Sequence, residues 1–313
     1  MEVAPLLSLT ELDKLTREEL VTVARELFVL RPLAPFPGWR FDAGWDSPEP
    51  VVQLRRKIWS LCSVLPESAC LDVGWHRDTK LRLWLGNDIS KQLFVTGTID
   101  PNELALLNRI LEPGMTFVYA GANEGIYTVF AGACVGPGGA VWAFEPSSRE
   151  RAHLDVNVAL NQLSNVRMFP VALADADGAA LLKVSASNHA GLNTLGTITC
   201  GVSQVTIEIV PVRTLDGLAD EVSLARLDVL KVDVEGAELR LLRGAACSIE
   251  RFRPMVMFET NQSGSLGELL DWFRGQEYSL FVFDPASGLP VPEQAAAMGD
   301  NVLAVPAGRQ VPS

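Results

Sequence analysis

No Cys-x-x-Cys pair occurs among the five cysteines, Cys62, Cys70, Cys134, Cys200 and Cys247, and their number is odd. That argues against a zinc or disulfide framework and for a reducing compartment. Long hydrophobic runs are also missing: nothing approaches the ~20 apolar residues that span a bilayer. The start, "MEVAPLLSLTELDKL", has no basic stretch leading into a long apolar one, so no signal-peptide pattern is present. Positive charge is scarce, with 26 Lys and Arg against 38 Asp and Glu and a net charge of −12. Nucleic acid and other polyanions are disfavoured as partners on that ground. The expectation is a soluble cytoplasmic protein, with a homo-oligomer left open.

What is present is apolar and orderly. Hydrophobic residues make up 48% of 313, enough for a sizeable core and roughly two domains. From Leu9 to Leu30 the pattern is helical, with Thr16 and Glu19 spaced as a capping pair. An aromatic, Pro-rich connector follows, and "VVQLRRKIWSLCSV" reads as a second helix whose Arg55, Arg56 and Lys57 form a solvated face. "LDVGWH" and "KLRLWLG" read as a hairpin, and "KQLFVTG" as a third extended piece. Residues 1–100 are taken as an N-terminal helical and hairpin segment, and 101–313 as the main domain. The aromatics of Phe36 to Trp45, with Trp75 and Trp84, form either the core of that small segment, which is preferred, or a pocket wall.

After a helix opened by Asp100 and Pro101, apolar strands alternate with helices. The strands are "TFVYA", "GAVWAFE", "VRMFPVAL", "DVLKVD", "PMVMFE", "YSLFVF" and "NVLAVPA". Continuous apolar strands of this kind predict a largely parallel sheet covered on both faces. "AALLKVSA" and "VTIEIVPV" read as an inserted hairpin around a polar loop.

In such a sheet, ligands bind at the carboxyl ends of the strands. The first strand ends in Gly121-Ala122-Asn123-Glu124-Gly125. Its glycines let backbone approach a ligand closely, and a helix N-terminus follows. Three further strands end in an acid, at Glu145, Asp233 and Glu259. Glu145 lies about 20 residues past the turn, where an acid bonds the ribose hydroxyls of an adenosine cofactor. This fits a nicotinamide dinucleotide or S-adenosylmethionine. The G-x-N-x-G spacing departs from the G-x-G-x-x-G that pyrophosphate requires and suits a cofactor without phosphate.

The segments "FVYAGANEGIYT", "AFEPSSRERAHLDVNVALN", "VALADADG", "KVDVEGAELRLLRGA" and "RPMVMFE" together resemble the FkbM family of S-adenosylmethionine-dependent methyltransferases, over about Asp88 to Pro306. The first ~85 residues carry no assignable motif. The resemblance implies a Rossmann-like α/β fold, the class I methyltransferase sheet of seven mostly parallel strands with an antiparallel last strand. It implies that Gly121, Asn123 and Gly125 line the methionine part of the cofactor, that Glu145 holds the ribose, and that Ala172 to Asp175 lie near the adenine. It also implies O-methylation of a sugar, glycolipid or polyketide-type natural product. The departure is Tyr119, where the family usually carries Asp to anchor the cofactor's amino group. Losing that acid costs roughly 1.5–3 kcal/mol, and Glu124 or Asp233 is the candidate replacement.

Asp233, beside the expected methyl position, is the first candidate for catalysis as base, metal ligand or anchor, and His189 in the polar loop is the second. His76 and His153 read as structural or solvated. Glu235 and Glu238, with Asp233 or Glu259, form a possible oxygen set for Mg²⁺, although a helix-start role for the two glutamates is preferred. Lys231 shares a strand face with Asp233, and pairing there would make Asp233 a weaker base. Two other classes stay open at this point: a nicotinamide oxidoreductase, and a non-catalytic binding protein on the same fold.

Overall fold

Apolar residues at alternate positions set the two-faced sheet at the centre of the molecule. The computed structural model describes residues 9–39, 49–62, 70–85, 87–186, 191, 193–196, 205–260 and 266–311. The N-terminal part supplies helices α1 (Leu9–Leu12), α2 (Arg17–Leu27) and α3 (Pro50–Cys62), strands β1 (Cys70–Gly74) and β2 (Lys80–Trp84), and helices α4 (Asp88–Thr96) and α5 (Pro101–Ile110). Then follow β3 (Thr116–Ala120), α6 (Ile126–Val135), β4 (Ala140–Phe144), α7 (Ser148–Leu160), β5 (Val166–Phe169) and β6 (Ala172–Leu173). The insert forms β7 (Gly178–Ser185) and β8 (Val205–Arg213). The chain closes with α8 (Leu215–Glu221), β9 (Val229–Val232), α9 (Glu238–Arg243), α10 (Ala246–Phe252), β10 (Met255–Glu259), α11 (Leu266–Gly275), β11 (Tyr278–Phe283), β12 (Pro290–Pro292) and β13 (Asn301–Pro306).

The main sheet runs β12-β11-β13-β10-β9-β3-β4-β5. The pairs among β10, β9, β3, β4 and β5 are parallel, and β13 is antiparallel to both its neighbours. This is the expected seven-stranded, mostly parallel sheet with an antiparallel last strand, extended by the three-residue edge strand β12. "VRMFPVAL" divides between β5 and β6, and β6 joins the β7–β8 hairpin in a separate three-stranded sheet.

Successive side chains alternate between two cores, as the pleat demands. Phe117 and Tyr119 of β3 and Val229 of β9 face one core, while Val118, Ala120, Leu230 and Val232 face the other. The first core continues without a break into the N-terminal part through Leu20, Ile58, Leu71, Leu83 and Phe94, so that part is a layer laid on the sheet. The capping box of Thr16 and Glu19 opens α2 as expected.

Two local readings are corrected. "KQLFVTG" belongs to α4, because Asn87 accepts hydrogen bonds from the amides of Ile89 and Ser90 and Gly97 ends the helix in the left-handed region at φ 76°; the terminators outweigh the extended appearance of the run. Arg55 is buried, and its guanidinium donates to the carbonyls of Leu27 and Val95, tying α2 and α4 to α3. Lys57 keeps the surface role, paired with Asp13 at 2.6 Å.

Candidate active site

The carboxyl ends of β3, β4, β9 and β10 open on a cavity of about 820 Å³, walled also by Trp39, Asp88, Asp100 and Asn193. This volume lies within the range of small-molecule and cofactor sites. Among the described cavity-lining residues nine are Asp or Glu, and Lys231 is the one Lys or Arg. The field therefore favours a cation and opposes an anionic ligand.

The turn after β3 is held tightly. Gly121 and Ala122 donate their amides to the Phe144 carbonyl at 3.0 and 2.9 Å. Gly121 has φ 84°, and a Cβ there would stand 1.8 Å from the Asp233 carbonyl oxygen, so only glycine fits. Asn123, at φ 47°, donates its amide to Glu145 Oε2 at 2.7 Å, and Ser147 donates its amide to Glu145 Oε1 at 2.9 Å. Glu145 is thus aimed by backbone on both sides, and burial pushes its carboxyl up to about 8. Each of its oxygens keeps a lone pair for a ligand hydroxyl.

Glu124 and Asp233 were both expected to compensate for Tyr119, and they differ. The Glu124 carboxylate accepts from Ser90 Oγ at 2.9 Å on α4, and burial pushes it up to about 8. It ties the turn to the N-terminal layer. Asp233 receives the Lys231 ammonium at 2.8 Å and the Tyr119 hydroxyl at 3.4 Å. The second contact is long for an O–H donor. The Tyr119 ring packs 5.5 Å from the Tyr127 ring, with the Lys231 ammonium 4.6 Å from the Tyr127 centroid. Gly121, Asn123 and Gly125 still line the cavity alongside Tyr119, so the phenol does not fill the turn.

Lys231 organises the charges. Burial acts to lower it, but Asp233, Asp100 and Glu259 outweigh burial and hold it raised. Burial likewise acts to raise Asp233, and Lys231 overrides it, leaving the carboxylate lowered. Asp233 is therefore a firm anion and a weak base, as its pairing with Lys231 implies. Glu259 is pushed well above the usual range by burial and by the charges of Asp233 and Glu235, and it is hydrogen-bonded to Asp233. Glu235 rises to about 8 through burial and the nearby Asp233, and its Oε2 has no hydrogen-bond partner among the described residues.

Asp233, Glu235 and Glu259 each bring an oxygen within 4.8 Å of the others. The set fits Mg²⁺ poorly, because the Lys231 ammonium and the Glu259–Asp233 hydrogen bond already occupy and neutralise it. Glu238 stands apart: it opens α9 and accepts the Gly236 amide at 2.8 Å, the helix-start role preferred from its position.

Of the residues singled out in the sequence, Tyr119, Gly121, Asn123, Glu124, Gly125, Glu145, Ala172 and Asp233 all line this cavity. Asp175 does not. It is exposed, and its carboxylate pairs with Arg240 at 2.9 Å, because the chain after β6 turns it toward α9 and solvent. His189 and Trp45 lie outside the described residues. Trp75 is buried in the N-terminal layer, and Trp84 stacks on His153 at 3.7 Å, so both serve packing. Trp39 of the same aromatic set does reach the cavity.

Asp100, Glu103 and Asn301 line the cavity without having been singled out for a site in the sequence. Asp100 was read only as a helix start. It stands at the N-terminus of α5 with φ 39°, yet its side chain does not cap the helix. Instead it accepts the Tyr127 hydroxyl at 2.8 Å at the cavity wall.

The family described as "Methyltransferase FkbM domain" matches residues 120–280, just over half of the 313. No curated protein matches the sequence. Among solved structures, a methyltransferase FkbM from Methylobacillus flagellatus KT is 14% identical with a TM-score of 0.41, covering 68% of this chain and 52% of that one. The present chain thus spans about half the length of that relative. Fibrillarin from Aeropyrum pernix, in complex with natively bound S-adenosyl-L-methionine, is 12% identical with a TM-score of 0.37, covering 65% of this chain and 73% of that one. A SAM-dependent O-methyltransferase from Thermotoga maritima is 10% identical with a TM-score of 0.38, covering 80% and 97%. With more than half of its length matched by that family, the chain belongs to the FkbM family of S-adenosylmethionine-dependent methyltransferases.

Proposed function

We propose that the chain transfers a methyl group from S-adenosylmethionine to a hydroxyl of a small molecule, of the sugar, glycolipid or polyketide-type natural-product class. The observation that carries this reading is Glu145, fixed by two backbone amides beside a glycine turn that closes on Asp233. A carboxylate so held presents its remaining lone pairs to a vicinal diol, and the turn leaves room for the methionine part. The bound sulfonium supplies an activated methyl group. The acids lining the cavity favour its positive charge, and Asp233, kept ionised by Lys231, stands beside the turn at Gly121. Asp233 takes over the anchoring charge that Tyr119 lacks.

A hydroxyl acceptor must lose a proton, and the base should titrate near the working pH. Asp233 is too acidic for that. Glu235, raised to about 8 and with one oxygen unpartnered, is the group suited to accept it. Asn193 of the polar insert and Trp39 of the N-terminal layer also line the cavity. Calorimetry with S-adenosylmethionine and NAD tests the reading. The first should bind and the second should not, and Glu145→Gln should weaken the first by about tenfold, the loss of one hydrogen-bond acceptor. Unchanged affinity in the variant, or tight NAD binding by the wild type, would refute it.

A further inference from the structure

We propose that Glu103 and Asn301 form a subsite for a protonated amine carried by the acceptor. The two residues are 198 positions apart and meet where the first turn of α5 crosses the start of β13, with Asn301 Nδ2 donating to Glu103 Oε1 at 3.2 Å. Both are more than nine-tenths buried and line the cavity. Glu103 Oε2 and Asn301 Oδ1 have no hydrogen-bond partner among the described residues. Two buried acceptors left open at one place are rare, since such groups cost free energy unless something donates to them.

The missing partner must bring several N–H or O–H donors and tolerate negative surroundings. A neutral hydroxyl brings one donor; an alkylammonium brings three and a positive charge. Asp100, one turn earlier on α5, acts with burial to push the Glu103 carboxyl up to about 8, and a docked ammonium offsets both effects. A divalent cation fits less well, because among the described residues the one group of three ligand-bearing side chains within chelating distance is Asp233, Glu235 and Glu259, which does not include Glu103.

The sheet order decides whose amine it is. Asn301 stands on β13, three strands from β3 and on the opposite side from Glu145 on β4. At the usual strand spacing that is roughly 14 Å from the glycine turn. A cofactor seated on the turn and Glu145 leaves this end of the cavity to the acceptor. The assignment to the acceptor rests on the methyltransferase reading; the presence of an ammonium subsite does not. The substrate class sharpens accordingly, to hydroxyl compounds that also carry a basic amine, such as amino sugars and amino alcohols, while carboxylated or phosphorylated acceptors are excluded.

The probe is ethanolamine, compared by calorimetry with ethylene glycol and glycolate as neutral and anionic counterparts, with and without S-adenosylhomocysteine. Ethanolamine should bind at least about tenfold more tightly than either counterpart, and Glu103→Gln should abolish the preference while leaving the melting temperature of the protein within a few degrees. Asn301→Leu should act in the same direction. No measurable ethanolamine binding, equal or better binding of glycol or glycolate, or a preference that survives both substitutions overturns the proposal. Failure of S-adenosylhomocysteine to bind refutes the methyltransferase reading instead, and the ethanolamine comparison in its absence still judges the subsite.

Discussion

The two ends of the cavity are built on opposite principles. At the turn end, polar groups are satisfied within the protein: Glu145 by two backbone amides, Glu124 by Ser90, Asp233 by Lys231. At the far end, Glu103 Oε2 and Asn301 Oδ1 have no hydrogen-bond partner among the described residues. A preorganised end costs little to hold in its bound geometry and serves a ligand common to a family. An end with open acceptors is completed by its ligand and rejects analogues that lack the matching donors, which is how polar pockets discriminate. On the function proposed above, the turn end is the one that takes the cofactor and the far end the one that selects the acceptor.

Substitutions that attack one end and spare the other sharpen that contrast. The largest effect is expected at Glu235. As a general base it works ionised, so the rate should rise about tenfold per pH unit toward about 8 and level off above. Glu235→Gln should remove that limb and lower the rate by about 10²–10⁴-fold with S-adenosylmethionine affinity retained; an unchanged pH profile would move the base elsewhere. Next is Lys231→Met, which leaves Asp233 without its cation. A cost of about 3–5 kcal/mol in urea unfolding is expected, and a loss below ~1 kcal/mol would mean that the charges are not organised by this lysine. The smallest contrast compares two glycines of the turn. Gly121→Ala meets the backbone of Asp233 at 1.8 Å, which cannot move aside, whereas Gly125→Ala meets the flexible Leu154 Cδ1 at 2.5 Å. Both incur left-handed strain of about 1–2 kcal/mol, but only the first should also abolish cofactor binding. Equal effects in a binding titration would place the cofactor away from Gly121.

The turn end was legible in advance, and the far end was not. Glycines at 121 and 125 and acids at the ends of three strands are local signals, readable because strand period and turn chemistry involve neighbours in the chain. The pairing of Lys231 with Asp233 follows from the same period of two. Tyr119 shows the limit of that method: its departure from the family pattern is visible, but its long contact to Asp233 and its packing on Tyr127 depend on how α6 lies against β3. Asp175 failed because a side chain just past a strand end has two directions available, and Arg240 of α9 fixed the outward one. "KQLFVTG" failed because its apolar run fits either period, and the Asn87 and Gly97 caps decided it.

The amino-acid sequence by itself determined the alternation of strands and helices, the two-faced sheet and the glycine turn, since these arise from interactions between residues a few positions apart. The charge network and the far end of the cavity were decided only in three dimensions. Glu103 and Asn301 acquire meaning together, although they stand 198 positions apart in the chain. What joins them is the sheet order, which sets β13 beside β10 and brings its first residue under the start of α5. At that junction both side chains are buried, and Glu103 Oε2 and Asn301 Oδ1 have no hydrogen-bond partner among the described residues.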